Sequence, residues 1–195
     1  MILASRSVAR QALLSGCGIE AELRPADLDE RGLEAEETAR GALPALVARR
    51  LAGEKARSVS LQAPRRFVLG ADQVLAFEDR CWAKAADRNE AASRLARLSG
   101  RSHQLISACA IARGGLLLYE GLEIAEMHMR DLSQDEIRSY LDIVGDQALA
   151  SVGAYQIEGV GRLLFDQVDA DHAAILGLPL GGVLGYLRSA SLIRP

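Results

Sequence analysis

Two long runs of strand-forming residues occupy the middle of the chain and restrict the folds open to it. The runs cover residues 104–112 and 116–129, and Gly114-Gly115 lies between them. Such a glycine pair between two strand patterns is typical of a β-hairpin, because glycine readily adopts the positive φ angles of tight turns. Shorter apolar runs at Ile2-Leu3-Ala4 and Phe67-Val68-Leu69 predict further buried strands. We therefore expect a sheet that contains one long antiparallel pair.

Helical patterns alternate with these strands. The sequence predicts helices at residues 8–15, over 35–60 with a break or a new first turn at Pro44, at 87–98, after the capping box Ser133-Gln134-Asp135-Glu136, and after Pro179. Further strands are expected near 20–24 and 163–168, and a second hairpin at 78–80. Strands interleaved with helices, together with a hairpin, predict an α/β fold with a mixed sheet.

Composition excludes several classes of partner. The 195 residues suit one domain over 1–195, and their net charge of -3 gives no general attraction to a nucleic acid polymer or an anionic membrane. The longest uncharged apolar stretch, residues 173–187, is too short to span a bilayer and is broken by Pro179. Three widely spaced cysteines match neither a disulfide framework nor a zinc site, so we expect reduced thiols in a cytoplasmic protein.

Lysine is rare in this chain. Of 23 basic residues only Lys55 and Lys84 are lysines, and a compact ammonium binds phosphate as a point charge that a guanidinium does not always replace. Lys55 continues the apolar helical stripe of Val47, Leu51 and Val59, so its charge must either reach an edge of the helix or meet a buried anion. The pattern leaves both interpretations open.

The segment Ser5-Arg6-Ser7-Val8-Ala9-Arg10 joins a predicted strand to a predicted helix. Free N–H groups and the helix dipole make such a junction suitable for binding an anion. Arg10 in the first helical turn opposes the dipole unless an anion lies between them. Alternatively, Ser7 is only an N-cap and Arg10 only a surface residue.

Acidic residues supply candidate metal ligands and a candidate base. Asp72 follows a predicted strand and the small pair Gly70-Ala71, and Glu30 lies in an earlier acidic turn. Two carboxylates can hold Mg²⁺ when waters and phosphates complete its shell, although Asp is also common in ordinary turns. Lys84 follows the 78–80 hairpin and Glu158 lies in a glycine-flanked loop, and either could be a solvated loop charge. The three histidines have no ligand spacing and are interpreted as structural.

The order of short motifs over residues 2–187 resembles the Maf family of nucleoside triphosphate pyrophosphatases. The motifs are Ser5-x-Ser7-x-x-Arg10, the Asp29-Glu30 turn, Leu51-Ala52-Gly53-Glu54-Lys55-Ala56, Gly70-Ala71-Asp72-Gln73, Lys84, Leu98-Ser99-Gly100-Arg101-Ser102-His103, Gly153-Ala154-Tyr155 with Glu158-Gly159, and Gly177-Leu178-Pro179-Leu180. Both lysines fall on motif positions. The resemblance implies a curved mixed β-sheet flanked by helices, with two lobes around a cleft, similar to inosine triphosphate pyrophosphatases.

The resemblance also implies an activity and roles for single residues. It implies hydrolysis of a nucleoside triphosphate to the monophosphate and pyrophosphate, a house-cleaning reaction with magnesium, manganese or cobalt as the divalent ion. Asp72 would be the proton acceptor and a metal ligand, assisted by Glu30. A group of cations with two serines would bind the triphosphate, and three further positions would select the base. The first group is Arg10, Lys55, Lys84, Ser5 and Ser7, and the second is Ala9, Gln73 and Glu158.

Two positions favour one subgroup. The combination of Gln73 with Glu158 resembles 7-methyl-GTP pyrophosphatases, and a carboxylate suits the N–H edge of guanine. Ala9, Ala71, Val8 and Ala85 depart from the family pattern, of which Ala9 and Ala71 bear on the choice of base. Two other functions stay open: a nucleotide-binding regulator of septum formation with little catalysis, and a nucleotidyltransferase, for which no second substrate motif is present. A homodimer is an expectation from the family.

Overall fold

The computed structural model describes residues 1–193 as seven strands, seven α-helices and two 3-10 helices. The strands are β1 Ile2–Leu3, β2 Glu22–Leu23, β3 Val68–Phe77, β4 Arg80–Trp82, β5 Ser102–Arg113, β6 Leu116–Met129 and β7 Phe165–Asp169. The α-helices are α1 Val8–Gly16, α2 Glu30–Ala39, α3 Pro44–Gln62, α4 Arg88–Leu98, α5 Gln134–Val144, α6 His172–Ile175 and α7 Leu180–Ser189. The 3-10 helices are Gly145–Ala150 and Val160–Leu164.

All the strands form one mixed sheet in the order β2-β1-β3-β5-β6-β7, with β4 paired to β3. The β1 pairings are parallel, whereas β3, β5, β6 and β7 form an antiparallel series. The long hairpin of β5 and β6 turns at Gly114-Gly115, where both φ angles are positive, as the sequence predicts. The predicted α/β architecture is confirmed.

Buried side chains form separate clusters on the two faces of β3. On one face α3 packs Val47 and Leu51 against Val74. The other face carries two clusters, one around Leu69 with α1 and α7, and one around Leu75 with α4 and α5. The two ends of β3 thus belong to two lobes, and the middle of the strand lies between them.

The break predicted at Pro44 is confirmed, because α2 ends before Gly41, whose φ is +76°, and α3 starts at Pro44. Other predicted boundaries are wrong. Helix α2 starts earlier, at Glu30, since the Asp29 carboxylate accepts from the Gly32 N–H at 2.9 Å. The strands predicted at 20–24 and 163–168 are shorter or shifted, as the bounds of β2 and β7 show. The Ser133–Glu136 capping box is confirmed.

Asp72 lies within a strand, not after its end as the sequence predicted, because β3 continues to Phe77 and pairs with β5 throughout residues 68–76. The capping box expected at Asp87-Arg88-Asn89-Glu90 is only half formed. Asp87 caps the Glu90 N–H, but the Glu90 carboxylate accepts from the Ala86 N–H instead of from Asp87. No helix within residues 1–193 combines the length and the apolar character that crossing a bilayer requires.

Candidate active site

The middle of β3 has an open edge. Strand β5 pairs along one side of β3, whereas on the other side β1 reaches only Val68 and Leu69 and β4 only residues 75–77. Within the described residues, no strand pairs with this side of β3 between Gly70 and Val74. The gap leaves backbone groups of β3 without a strand partner between the two lobes, and the candidate site is built around it.

Asp72 faces α3 at this gap and binds a buried lysine. Lys55 Nζ donates to Asp72 Oδ1 at 2.5 Å and to Glu30 Oε2 at 2.7 Å. Lys55 and Asp72 are 7% and 8% exposed, whereas half of the Glu30 side chain is exposed. Of the two interpretations of Lys55, the structure therefore shows the second, a lysine that meets a buried anion.

Gly70 allows α3 to approach β3 closely enough for this pair. A Cβ at Gly70 would lie 2.3 Å from the Ala52 carbonyl oxygen and 2.5 Å from the Ala56 nitrogen. A side chain of any size would push α3 away from the strand. Lys55 and Asp72 lie beside this contact, so the glycine sets the distance at which they meet.

Arg10 reaches the same gap from α1. Its Nε donates to the Gly177 carbonyl at 2.8 Å, and its Nη1 donates to the Ala71 carbonyl at 2.8 Å and to Ser5 Oγ at 3.2 Å. Burial lowers the pKa of the Arg10 guanidinium, whereas Asp72 raises it. Its Nη2 donates to no described group, so Arg10 is held in place with one nitrogen free to bind a ligand.

The start of α1 lies beside Arg10. Ser7 caps the helix, with its Oγ accepting from the Arg10 backbone N–H at 3.3 Å, and Ser5 Oγ accepts from the Ser7 N–H at 3.1 Å. The backbone N–H groups of Val8 and Ala9 donate to no described residue. Two free N–H groups at a helix N-terminus favour an anion.

Burial raises the pKa of Asp72 above its ordinary value of 3.8, although Lys55 and Arg10 lower it and Glu30 raises it further. Glu34, one turn after Glu30 on α2, also has a raised pKa, because it is partly buried and is repelled by Asp72. The site therefore contains carboxylates and cations that lie close together and stabilise one another as ion pairs.

Gln73 lies on the opposite face of β3. Its Nε2 donates to Ser107 Oγ at 3.0 Å and to the carbonyls of Ala174 and Ile175 at 3.2 and 2.9 Å. These bonds attach α6 to the sheet between the two lobes. The Gln73 amide oxygen is not used by any described residue and is free to accept a hydrogen bond.

Glu158 and Lys84 are both exposed loop residues. Glu158 Oε1 lies 3.7 Å from His172 Nε2 at the start of α6, and both side chains are about 60% exposed. Lys84 follows β4 and forms no ion pair or hydrogen bond with the described residues.

Comparison with known proteins identifies the family of the chain. The family described as Maf-like protein matches residues 1–190. The chain belongs to the Maf family. It is 52% identical over 193 residues to a nucleoside triphosphate pyrophosphatase of Rhodopseudomonas palustris strain HaA2, with 99% of this chain and 95% of that protein covered.

Two further relatives are similar to the chain over nearly its whole length. A 7-methyl-GTP pyrophosphatase of Rhizobium etli is 44% identical over 193 residues, with 99% of this chain and 97% of that protein covered. A nucleoside triphosphate pyrophosphatase of Nitrobacter winogradskyi is 48% identical over 195 residues, with 99% and 95% covered. The Maf resemblance inferred from the motifs is confirmed.

The structure brings together only part of the residue set that the Maf motifs imply. Lys55, Asp72, Glu30, Arg10 and the Ser5–Ser7 turn meet at the gap in β3. Gln73 is on the other face of the strand, and Lys84 and Glu158 are in exposed loops. Their roles stay predictions.

Glu34 was missed by the sequence analysis. Its spacing of four residues from Glu30 would place both on one side of a helix, but the helix was expected to begin only at Ala35. Cys81 was likewise treated as an ordinary thiol. It lies near Glu34 and Asp72, and burial together with these carboxylates raises its pKa to about 11.

Glu30 and Asp72 fit a divalent ion in part. They share one ammonium at hydrogen-bond distance, so both carboxylates already surround a cation. Within residues 1–193, no three His, Cys, Asp or Glu side chains converge as metal ligands. An ion held by these two carboxylates would complete its shell with waters and phosphate oxygens, which is the habit of Mg²⁺.

Proposed function

We propose that this chain is a nucleoside triphosphate pyrophosphatase that hydrolyses a guanine-type nucleotide, with 7-methyl-GTP as the candidate substrate, to the monophosphate and pyrophosphate. The enzyme class predicted from the sequence is confirmed by the names of relatives about half identical over nearly the whole chain. The observation that carries the assignment of the site is the enclosed Lys55–Asp72 pair at the open edge of β3.

The cations at the gap support binding of a triphosphate. Lys55 offers an ammonium, Arg10 a free Nη2, and Val8 and Ala9 free N–H groups, all around the same opening. Fixed donors of this kind stabilise the charge that develops on phosphate oxygens and on a pyrophosphate leaving group. Lys84 is assigned to the leaving pyrophosphate, as the family resemblance implies.

Asp72 is assigned the role of proton acceptor for the attacking water. Its raised pKa makes it a stronger base than an exposed aspartate. Glu30 and Asp72 would hold Mg²⁺, or Mn²⁺ or Co²⁺ in its place. A bound divalent ion would polarise the phosphate oxygens and lower the pKa of a bound water.

The choice of base depends on Gln73 and Glu158. The free amide oxygen of Gln73 and the exposed carboxylate of Glu158 are both acceptors, and the guanine edge presents N1–H and N2–H₂ donors. Pyrimidine bases present fewer donors, which supports a guanine-type substrate. We place the enzyme in the cytoplasm, since Cys17, Cys81 and Cys109 are free. The homodimer stays a prediction.

A nucleotide panel tests the proposal. The protein is incubated with 7-methyl-GTP, GTP, UTP, dTTP, CTP or ATP, with Mg²⁺ or with a chelator, and pyrophosphate and orthophosphate are assayed separately. We expect pyrophosphate, most rapidly from 7-methyl-GTP, and only with the metal. Release of orthophosphate would contradict the bond assignment, and nucleotide binding without any hydrolysis would favour the regulatory alternative. A pyrimidine preference would overturn the assignment of Gln73 and Glu158.

A further inference from the structure

Arg94 of α4 is a buried cation outside the site described so far. It is 7% exposed and projects between two loops. Its Nη1 donates to the carbonyl oxygen of Ala83 and, at 2.6 Å, to that of Val152. One nitrogen of Arg94 therefore joins two segments that are almost seventy residues apart in the chain.

Each of these carbonyls adjoins a residue of the candidate site. Ala83 immediately precedes Lys84. Val152 immediately precedes the segment Gly153-Ala154-Tyr155, which leads to Glu158. Lys84 has no side-chain partner of its own within the described residues, so its position depends on how the backbone beside it is held.

Glu90 completes the same junction from the first turn of α4. Its Oε1 accepts from Arg94 Nη2 at 2.9 Å, and its Oε2 accepts from the Ala86 N–H at 2.8 Å. The loop is thus attached to α4 on both sides of Lys84, through Ala83 and through Ala86.

The cost of burying Arg94 indicates that the junction is specific. Its guanidinium lies 5.3 Å above the Trp82 ring, and its Nε has no partner within the described residues. A buried cation with an unsatisfied donor opposes folding unless its other bonds are strong. An apolar side chain would fill the same space but could not hold two carbonyls.

We infer that Arg94, together with Glu90, is a positioning residue that fixes the Lys84 loop against the Glu158 loop and so sets the distance between phosphate and base recognition. This inference rests on the proposed function for its catalytic consequence. The mechanical link between the loops can be measured without activity.

The first test is hydrogen exchange of the nucleotide-free protein. In Arg94→Met, amides of residues 83–86 and 152–158 should exchange faster together, while the β5–β6 hairpin is unchanged. Arg97→Met is the matched control, because Arg97 also lies over Trp82, at 4.5 Å, but pairs with Glu78 rather than with the loops. Faster exchange in only one loop, or the same pattern in Arg97→Met, would overturn the link.

The second test is kinetic. Arg94→Met should lower kcat/KM about a hundredfold, the cost of a displaced catalytic group, and Arg94→Lys should recover part of it. In a Lys84→Ala background the same change should cost much less, because the two residues act through one loop. Fully additive losses would show that Arg94 does not act through Lys84.

Glu90→Gln provides a separate test in case the Arg94 variant does not fold. Arg94 and Ala86 donate to different oxygens of the Glu90 carboxylate, and a glutamine carries an NH₂ donor in place of one of them, so with its oxygen on the charged Arg94 it loses the bond from Ala86. We expect faster exchange at Ala86 and a few-fold loss of kcat/KM, and unchanged exchange at Ala86 would count against the junction. If the wild-type protein released no pyrophosphate, the proposed function would fail while the exchange test still decided the link.

Discussion

On one face of β3, Asp72 meets a buried lysine and a second carboxylate, whereas on the other face Gln73 donates to backbone carbonyls and leaves its amide oxygen free. The first face is closed by α3 and held by charge. At Gln73 the second face is covered by the short helix α6, and the remaining base-selecting candidate, Glu158, is exposed beside His172. The groups around Asp72 are therefore held in place before a ligand binds, whereas the exposed side chain of Glu158 can still adjust.

The largest effect is expected from Asp72→Asn. Loss of the proton acceptor should lower kcat about 1,000-fold. Stability should not fall at neutral pH, because burial penalises the ionised carboxylate and Lys55 keeps its bond to Glu30. Steady-state kinetics and urea denaturation measure the two quantities, with Asp135→Asn, at an exposed position of α5, as the control. A destabilised variant with near-normal kcat would show that Asp72 is structural.

Substitutions of the two lysines should affect activity and stability differently. Lys84→Ala should lower kcat/KM about a hundredfold yet change the free energy of unfolding by less than about 0.5 kcal/mol, because the side chain is exposed and unpaired. Lys55→Met should lose activity and also about 3 kcal/mol of stability, because it leaves buried Asp72 without its cation. Paired kinetic and denaturation measurements on both variants test this contrast. Equal stability losses would mean that Lys84 is also part of a structural pair.

The contrast between the faces also explains what the sequence could predict. The apolar stripe and the short motifs singled out Lys55 and Asp72 separately, because helix periodicity and short motifs are local, but they left open whether the two residues pair. Gln73 lies on the opposite face because successive side chains alternate along a strand, but the predicted strand ended before Asp72 and so did not include either residue. The gap left by short β1 and β4, in contrast, depends on which strands pair. Pairing over long sequence distances has no local pattern. Arg94 could not be found for the same reason, since both carbonyls it holds lie in other parts of the chain.

The pH dependence of stability tests the raised pKa of Asp72. The pKa of Asp72 is raised above 3.8 in the fold, so the folded state keeps a proton that the unfolded chain releases. The stabilisation that comes from protonated Asp72 is therefore complete below pH 3.8, and it is lost as pH rises through the raised pKa. We therefore expect the free energy of unfolding of Asp72→Asn, relative to that of the wild type, to increase between about pH 4 and about pH 7. Urea denaturation in metal-free buffer measures this difference. A pH-independent difference would contradict the raised pKa.

The smallest effect is expected at Glu158. Glu158→Gln keeps the size of the side chain but replaces one acceptor oxygen with a donor, so the guanine N–H edge loses a charged partner. The ratio of kcat/KM for 7-methyl-GTP over UTP should fall about tenfold, because a hydrogen bond to a charged group contributes roughly 1.5 kcal/mol.

His172→Gln provides the matched control for Glu158, because it removes the neighbour of the carboxylate and keeps the carboxylate itself. It should leave the preference for the base nearly unchanged, since both side chains are mostly exposed and their pairing contributes little. If His172→Gln altered the preference as much as Glu158→Gln, base selection would depend on the pair and α6 would belong to the specificity site. If neither altered it, selection would rest with the closed face, and the division between the two faces of β3 would be wrong.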